Sequence, residues 1–395
     1  MTLTRRFCML LGITAVASTS TILIGRGLYF YTDHYLDFTK TQNLRLALGC
    51  GLAFAPAAIF SHHLCRWAVE KKVLLWTIVG YSLCALAMAV FPSSMAVVVV
   101  AALLASMFTG TFWPVLESYI HAGLAPGQTI RAVGWFSLAW ASAMPLAMLL
   151  TGFLLEHSQP ALLLSGAVLG LALLPMAALL PPRPTHLPDD HPHRPSPGQM
   201  AHLRALLHGG RWSLISSYAM LFILAPLMPE IFKSDLGLDT SQATALTSIH
   251  GIMRFCTFVF MHLYGGWHGK ARWTLVSALG LPVGFLVVLS GVDLIVVVVG
   301  LVIFGITEGI IYYAALYYAM LVRNAAVDAG GVHEGLIGIG FTIGPAMALL
   351  GSHLLMGVVP MILICTAGVC WSLRKARPPI DGVEATESSL AEEAP

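Results

Sequence analysis

The sequence predicts an all-α, polytopic membrane protein with twelve transmembrane helices in two pseudo-symmetric six-helix bundles. Three observations support this prediction: the composition, a series of long apolar runs and an internal repeat. Of the 395 residues, 57% are hydrophobic and only 10% are charged, whereas soluble domains carry about 25% charged residues. Little of the surface can therefore face water.

Twelve apolar runs account for the predicted spans, because a membrane helix needs roughly 20 mostly apolar residues. Arg5 and Arg6 precede the first run as in a signal peptide, but the run from Phe7 to Tyr31 has no convincing small-residue cleavage site, so we expect it to be retained. The runs cover residues 7–31, 44–63, 73–91, 95–120, 132–155, 160–181, 212–230, 243–264, 273–290, 294–321, 334–356 and 358–373.

The runs divide the chain into two bundles. We predict an N-terminal six-helix bundle over residues 1–181 and a C-terminal one over residues 212–377. Residues 182–211 are rich in Pro, His and Asp and cannot cross a bilayer, so they predict a flexible linker, with room for a short surface helix at residues 199–207. Residues 378–395 are polar and acidic and predict a disordered tail.

The basic residues predict the orientation. Sixteen of the 21 Lys and Arg residues fall at the termini, in the linker or in loops on the same side as the termini, and the opposite side holds only Lys40, Arg45 and Lys233. Loops rich in Lys and Arg remain in the cytoplasm. We therefore predict a multi-pass protein of a bacterial inner membrane, with a cytoplasmic linker and both termini cytoplasmic.

An internal repeat relates residue i to residue i+200. Pro145 falls on Pro345, Pro160 on Pro360, and the loop at residues 36–42 on the loop at residues 236–242. Single leucines match by chance in apolar sequences, but prolines and loop motifs that keep one offset indicate a real repeat. Two parallel halves of six helices are typical of one class of secondary transporter.

Several motifs resemble the major facilitator superfamily. The opening Gly25-Arg26-Gly27-Leu28-Tyr29, followed by Leu36-Asp37-Phe38-Thr39 and a basic loop, is similar to the start of these transporters. The family's loop motif G-x-L-x-D-R-x-G-R-[RK] is degraded at residues 62–72, where its glycines and its aspartate are missing. The equivalent loop of the second half, residues 265–272, keeps glycines and basic residues.

The helix-5 signature of the family, G-x-x-x-G-P, is degraded at residues 140–145 but intact in its repeat partner, residues 340–345. The resemblance covers about residues 5–377. It implies a secondary transporter that works by alternating access, with helices 1, 4, 7 and 10 lining a central cavity. By that resemblance Arg26, Glu117 and Glu308 lie toward the pathway.

Charged residues within the apolar runs are candidate functional residues, because each is costly in lipid unless it is paired or faces a cavity. Arg254 follows His250 by one turn, so both share a helix face. We predict that Glu308 carries a coupling proton, with Arg254 as its partner or as the anchor of an anionic solute. The alternative is a static Arg254–Glu308 bridge. Arg26 could likewise anchor the solute or extend to the outer headgroups.

Aromatic residues complete the candidate solute site. Tyr312, Tyr313 and Tyr317 lie on more than one face of the tenth span, and Trp113 occupies the position equivalent to Tyr313 in the repeat. We favour Trp113 and Tyr313 as walls of the cavity. Glu117, Arg66 and Arg131 are predicted to form an ion-pair latch at a cytoplasmic gate.

The sequence lacks the motifs that are typical of other functional classes. The sequence has no Walker loop, no H-E-x-x-H or G-x-S-x-G motif and no basic patch for nucleic acid. The linker histidines lack metal-site spacing, so we expect neither a metal, a cofactor nor catalysis. The expected partners are a small organic solute, anionic or amphipathic, protons and the lipid bilayer, and the expected state is a monomer. The main alternative is a lipid-handling, flippase-like protein on the same scaffold, and a passive channel is a third possibility.

Overall fold

The computed structural model describes residues 3–124, 126–186, 197–291, 293–322, 327–350 and 354–374, and within these ranges it is helical without strands. The first half contains eight helices: α1 Leu3–Leu36, α2 Lys40–Ile59, α3 Ser61–Ala68, α4 Glu70–Val90, α5 Met95–His121, α6 Pro126–His157, α7 Ala161–Leu171 and α8 Leu174–Ala178. The second half contains α9 Pro197–Pro229, α10 Thr240–Leu263, α11 Ala271–Ser290, α12 Leu294–Val322, α13 Val327–Leu350 and α14 Leu354–Leu373.

The described helices account for twelve spans. Ten are long and apolar enough to cross a membrane, α7 and α8 counting together as one. The α2–α3 pair forms one further span, bent by 50° at Phe60, and the shorter apolar helix α14 forms the last. The predicted all-α, twelve-helix fold is confirmed.

The repeat offset of 200 residues is visible in the local structure. α2 and α10 both begin with a capping box, in which the Thr39 or Asp239 side chain accepts from a backbone N–H and Gln42 or Gln242 reaches back to the cap. Such boxes satisfy the orphan N–H groups of a helix start. The halves differ just before the cap, because α9 continues into a π-helical turn, Glu230–Asp235, that α1 lacks.

The two halves meet most extensively through α2 with α13 and through α6 with α10, which are equivalent pairs in the repeat. At Gly338 of α13 a Cβ atom would lie 2.6 Å from the Cα atom of Ala55 on α2. Only a glycine allows this approach of the two backbones. Helices from opposite halves are therefore in direct backbone contact.

The two ends of the bundle carry different connections. We call the end with residues 181–186 the linker side, where the Tyr119 hydroxyl donates to Pro181 O at 2.7 Å and Lys71 N–H donates to Pro182 O at 3.2 Å. The opposite end, with Asp33, Lys40 and Lys233, is the loop side. Because helices alternate in direction, both α5 and α10 end on the linker side.

α9 is continuous from residue 197 to residue 229, so one helix covers the end of the predicted linker and the seventh span. The predicted surface helix at residues 199–207 is the first part of α9. Residues 187–196 and the predicted tail at residues 378–395 lie outside the described residues. The domain boundaries stay a prediction.

Candidate functional site

A buried triad of His250, Arg254 and Glu308 lies in the second half, where α10 packs on α12 and on α6 of the first half. α10 presents His250 and Arg254 on one face, one turn apart, and α12 brings Glu308 against both. Arg254 Nη1 lies 3.0 Å from Glu308 Oε1, and His250 Nε2 contacts Glu308 Oε2. All three side chains are at most 1% exposed. The predicted Arg254–Glu308 pair is thus brought together, with His250 as a second partner of the carboxylate.

The Arg254 guanidinium is enclosed by aromatic rings. Its Cζ atom lies 4.4 Å from the ring centroid of Trp140, 5.0 Å from Tyr312, 5.6 Å from Tyr218 and 5.7 Å from Phe258. Nη2 also donates to the Tyr218 hydroxyl at 2.8 Å. Cation–π contacts of a desolvated guanidinium are each worth up to about 2 kcal/mol. Trp140 lies on α6, so this enclosure combines both halves.

The hydrogen bonding of the triad is incomplete. Arg254 Nε and Nη1 and Glu308 Oε1 lack an aligned hydrogen-bond partner, although the ion pair brings Nη1 and Oε1 to 3.0 Å. A buried ion pair regains its desolvation cost only when good geometry satisfies the remaining donors and acceptors. The Nε–H group of Arg254 is therefore buried without an acceptor among the described residues.

Arg26 lies on α1, on the first-half side of this cluster. Its Nη1 approaches Met144 Sδ on α6 at 3.2 Å, and its side chain is partly exposed. It interacts electrostatically with Glu308 and Arg254. A second cationic group therefore lies near the triad, contributed by the opposite half.

A second buried cluster joins the halves toward the linker side. Glu117 on α5 and His333 and Glu334 on α13 are 0%, 2% and 5% exposed. One ligand atom from each lies within 4.8 Å of the others, which makes these residues the candidate metal ligands of the described chain. The His333 ring packs edge-on against Tyr312, with 5.3 Å between ring centroids. Tyr312 therefore touches both clusters.

The other predicted aromatic residues, Trp113, Tyr313 and Tyr317, are not among the rings that enclose Arg254. Tyr313 and Tyr317 pack against Trp267 near the linker side, with centroids 5.6 and 5.3 Å apart. Trp113 packs against Phe112 and is half-buried. Among the three tyrosines predicted for the site, Tyr312 is the one in contact with the guanidinium of Arg254.

The three residues of the predicted latch are not brought together. Glu117 is fully buried against α13, whereas Arg66 and Arg131 are exposed. Arg66 lines a cavity of about 430 Å³ with Glu70 and Arg183, whose Nε lies 3.7 Å from Glu70 Oε2. Glu117 does not reach the two arginines because it is buried against α13, where its neighbours are His333 and Glu334 of the other half.

The sequence did not reveal five site residues: Trp140, Tyr218, Phe258, His333 and Glu334. Trp140 lies in the degraded helix-5 motif, and Tyr218 is one aromatic residue among many in an apolar run. His333 and Glu334 stand at the start of the predicted eleventh span and were not separated from the adjoining loop. Adjacent His and Glu at the start of an apolar run are the one signal that could have revealed this cluster.

Two ion pairs join the halves on the loop side. Lys233 Nζ lies 2.5 Å from Asp33 Oδ2, and Lys40 Nζ lies 2.8 Å from Glu230 Oε1. Lys233 and Asp33 are equivalent positions of the repeat and are 25% and 23% exposed. Opposite charges at equivalent positions thus meet across the interface of the two halves.

Two six-helix halves of parallel topology, with charged clusters buried where they meet, define a multi-pass membrane transporter. The sequence profile of the Major Facilitator Superfamily matches residues 6–349. The chain therefore belongs to the Major Facilitator Superfamily. No curated protein matches it.

Solved structures are similar in fold. The nucleoside transporter NupG, solved as a mutant, superposes with a TM-score of 0.64 at 13% identity, covering 95% of this chain and 98% of that one. The Major Facilitator Superfamily transporter FucP, in the outward conformation, superposes with a TM-score of 0.64 at 12% identity, covering 94% and 98%. At these identities the similarity establishes the fold.

Proposed function

We propose that the protein is a proton-coupled secondary active transporter that moves a small organic anion, or an amphipathic compound with an anionic group, by alternating access. The observation that carries this proposal is the Arg254 guanidinium, buried in an aromatic enclosure with Nε and Nη1 lacking aligned acceptors. A carboxylate prefers the planar fork of an arginine, and aromatic rings suit an apolar body beside it.

The solute would compete with Glu308 for Arg254. A solute carboxylate that accepts from Nε and Nη1 of Arg254 competes with Glu308 at Nη1, weakens the ion pair and leaves His250 as the remaining partner of Glu308. A buried carboxylate that loses a countercharge gains affinity for a proton. Binding of the anion would thus favour proton uptake by Glu308, and release of the anion would restore the ion pair and expel the proton.

Arg26 contributes to the same proposal from the first half. Its guanidinium, within electrostatic reach of the triad, can hold a second anionic or polar group of the solute. Because Arg26 and Trp140 belong to the first half and Arg254 to the second, a bound solute contacts both halves. Their rocking around the solute would expose the site alternately to the two sides of the membrane.

We place the linker side in the cytoplasm of a bacterium, since 16 of the 21 basic residues fall at the termini, in the linker and in the loops of that side. The solute is not proposed to be a nucleoside, the substrate class in the name of NupG, because polar neutral solutes need many amide and hydroxyl partners. The described centre offers mainly a charged triad and aromatic rings instead.

The test is uptake into proteoliposomes of a labelled panel of organic anions and amphipathic compounds, with and without an imposed pH gradient. Wild type, Glu308→Gln and the matched control Glu156→Gln, an exposed carboxylate near the end of α6, are compared. We expect the gradient to drive accumulation by wild type and control, while Glu308→Gln retains exchange only. Unchanged accumulation by Glu308→Gln would make the triad a static bridge.

A further inference from the structure

The buried cluster toward the linker side is not used by the mechanism above. Glu117 on α5 and His333 and Glu334 on α13 each place one ligand atom within 4.8 Å of the other two, and their side chains are 0%, 2% and 5% exposed. The three residues come from opposite halves of the chain. Carboxylates and imidazoles are common ligands of divalent transition metals in proteins.

The packing of α13 on α5 brings these side chains together. Gly330, His333 and Glu334 are spaced three and four residues apart and therefore share a face of α13. At Gly330 a Cβ atom would lie 2.7 Å from Glu117 Oε2 and 3.0 Å from the Cα atom of Pro114. The Glu117 carboxyl group thus points from α5 at the face of α13 that carries His333 and Glu334.

The polar atoms of the cluster lack partners within the protein. Both Oε atoms of Glu117 and Nε2 of His333 are buried without an aligned hydrogen-bond partner. Buried polar atoms in proteins are nearly always paired, and an ion is one of the partners that can satisfy them. A proton held between the two carboxyl groups would leave the imidazole nitrogen unpaired, whereas a metal ion can bind all three residues.

The charge of the cluster favours the same ligand. Among the described residues, no Lys or Arg forms an ion pair with Glu117 or Glu334. Two buried carboxylates without a cation are strongly unfavourable. A divalent ion between them would neutralise both charges.

The ligand set selects among the cations. Mg²⁺ and Ca²⁺ prefer oxygen ligands alone and Cu⁺ prefers sulfur, whereas an imidazole combined with carboxylates suits Zn²⁺. Ligand atoms bound at about 2.0–2.1 Å to a tetrahedral Zn²⁺ stand roughly 3.4 Å apart, so side-chain shifts of about 1 Å would bring these three into place. The fourth position of the ion would be left to water.

We propose that Glu117, His333 and Glu334 bind one divalent transition-metal ion, with Zn²⁺ as the best match, and that this ion fastens α13 to α5 on the linker side. Opening of the linker side moves the two halves apart and so breaks the site. Bound metal therefore holds the linker side closed. The metal site is independent of the solute and of Glu308, and only its effect on opening rests on the proposed alternating access.

Metal binding is tested with Zn²⁺ and with Co²⁺, a coloured substitute for it. Full-length protein without a histidine tag is stripped with a chelator and dialysed against each ion. Wild type and His333→Gln are compared with the matched control His157→Gln, an exposed histidine at the end of α6. We expect His333→Gln alone to bind one ion fewer per chain, with affinity at the site reduced more than about 100-fold, because even partners of the ligands contribute about 10–100-fold.

Two results would overturn the metal site. One is a wild type that binds no ion tightly, and the other is equal binding by wild type and His333→Gln, which would place the ions at other histidines. His333→Cys covers the case in which His333→Gln does not fold, since a thiolate is also a zinc ligand. With Co²⁺ it should show a sulfur-to-metal absorption band that wild type and His157→Cys lack, and binding without that band contradicts the assignment.

The fastening role is tested by spin-label distances in nanodiscs, with and without Zn²⁺. Labels are placed on cysteines introduced at Trp67 and Leu263, which are 79% and 78% exposed on the linker side of opposite halves. The native cysteines outside the core are replaced by serine: Cys8, Cys256 and Cys370.

We expect Zn²⁺ to shift wild type and His157→Gln toward the short distance, and a chelator to reverse the shift. His333→Gln should not respond to either. A wild type that binds Zn²⁺ without a change in distance would refute the fastening role. Neither experiment uses a solute or a pH gradient, so a solute panel that fails to accumulate leaves these results unaffected and the two proposals fail separately.

Discussion

The energetics of the Arg254–Glu308 pair make a strong prediction, because removing one partner and removing both have opposite consequences. At 3.0 Å and an effective dielectric constant near 20, the attraction is about 5–6 kcal/mol. Desolvation of two fully buried ions costs several kcal/mol each. The pair therefore contributes little net stability, whereas a single unpaired ion is costly.

We expect Glu308→Gln to destabilise the protein by about 3–5 kcal/mol, since it leaves Arg254 buried without its carboxylate. The double variant Arg254→Met with Glu308→Leu should recover most of this loss, because apolar residues of similar volume replace a buried pair at little or no cost. Thermal unfolding of the purified proteins in one detergent, with Glu156→Gln as the control, measures both effects.

The same double variant separates structure from function. If the triad binds the solute and the proton, the double variant should fold and reconstitute but show no gradient-driven accumulation. The energetic argument would be refuted if Glu308→Gln unfolded at the same temperature as wild type and the double variant were no more stable than Glu308→Gln. A double variant that still accumulates solute would refute the proposed role in coupling.

Three further predictions concern contacts between the halves. Neutralising either Asp33 or Lys233 should weaken closure of the loop side by about 0.2–1 kcal/mol, and exchanging the two residues should restore it. The measurement is the rate at which a cysteine placed between the halves is labelled, and an exchange variant labelled as fast as the single variants would contradict the prediction. Gly330→Ala should hinder closure of the linker side, because the added Cβ atom would meet the Glu117 carboxyl group. Distances between spin labels placed on the linker side of the two halves should lengthen, and an unchanged distance distribution would argue against the close contact. Trp140→Leu should weaken binding of an anionic solute by up to about 2 kcal/mol through its guanidinium neighbour, measured as a shift in the concentration for half-maximal uptake, and an unchanged value would exclude that role.

The sequence was sufficient for the parts of the fold that are encoded locally. Apolar runs, turn motifs and the 200-residue repeat predicted the spans, and the capping boxes at Thr39 and Asp239 show the repeat atom by atom. The face shared by His250 and Arg254 was predictable, because residues four apart on a helix are neighbours.

Contacts between distant helices were not predictable in the same way. Trp140 and Arg254 are far apart in the chain, and periodicity states which residues share a helix face but not which faces meet. Glu117 was expected to pair with nearby basic residues, whereas its neighbour Glu334 has the same charge. Only the packing of α13 on α5, which Gly330 permits, brings two carboxyl groups together. A pairing rule based on opposite charges could not anticipate that contact.

The loop-side pair of Asp33 and Lys233 bears on how the halves recognise each other. These residues occupy equivalent positions in the repeat. A symmetric dimer of two first halves would therefore place aspartate against aspartate, and a symmetric dimer of two second halves would place lysine against lysine. Only the pairing of unlike halves gives attraction at this point. The charge pattern therefore disfavours like-with-like assembly, and the two halves, produced as separate chains, should associate as a heterodimer in preference to either homodimer.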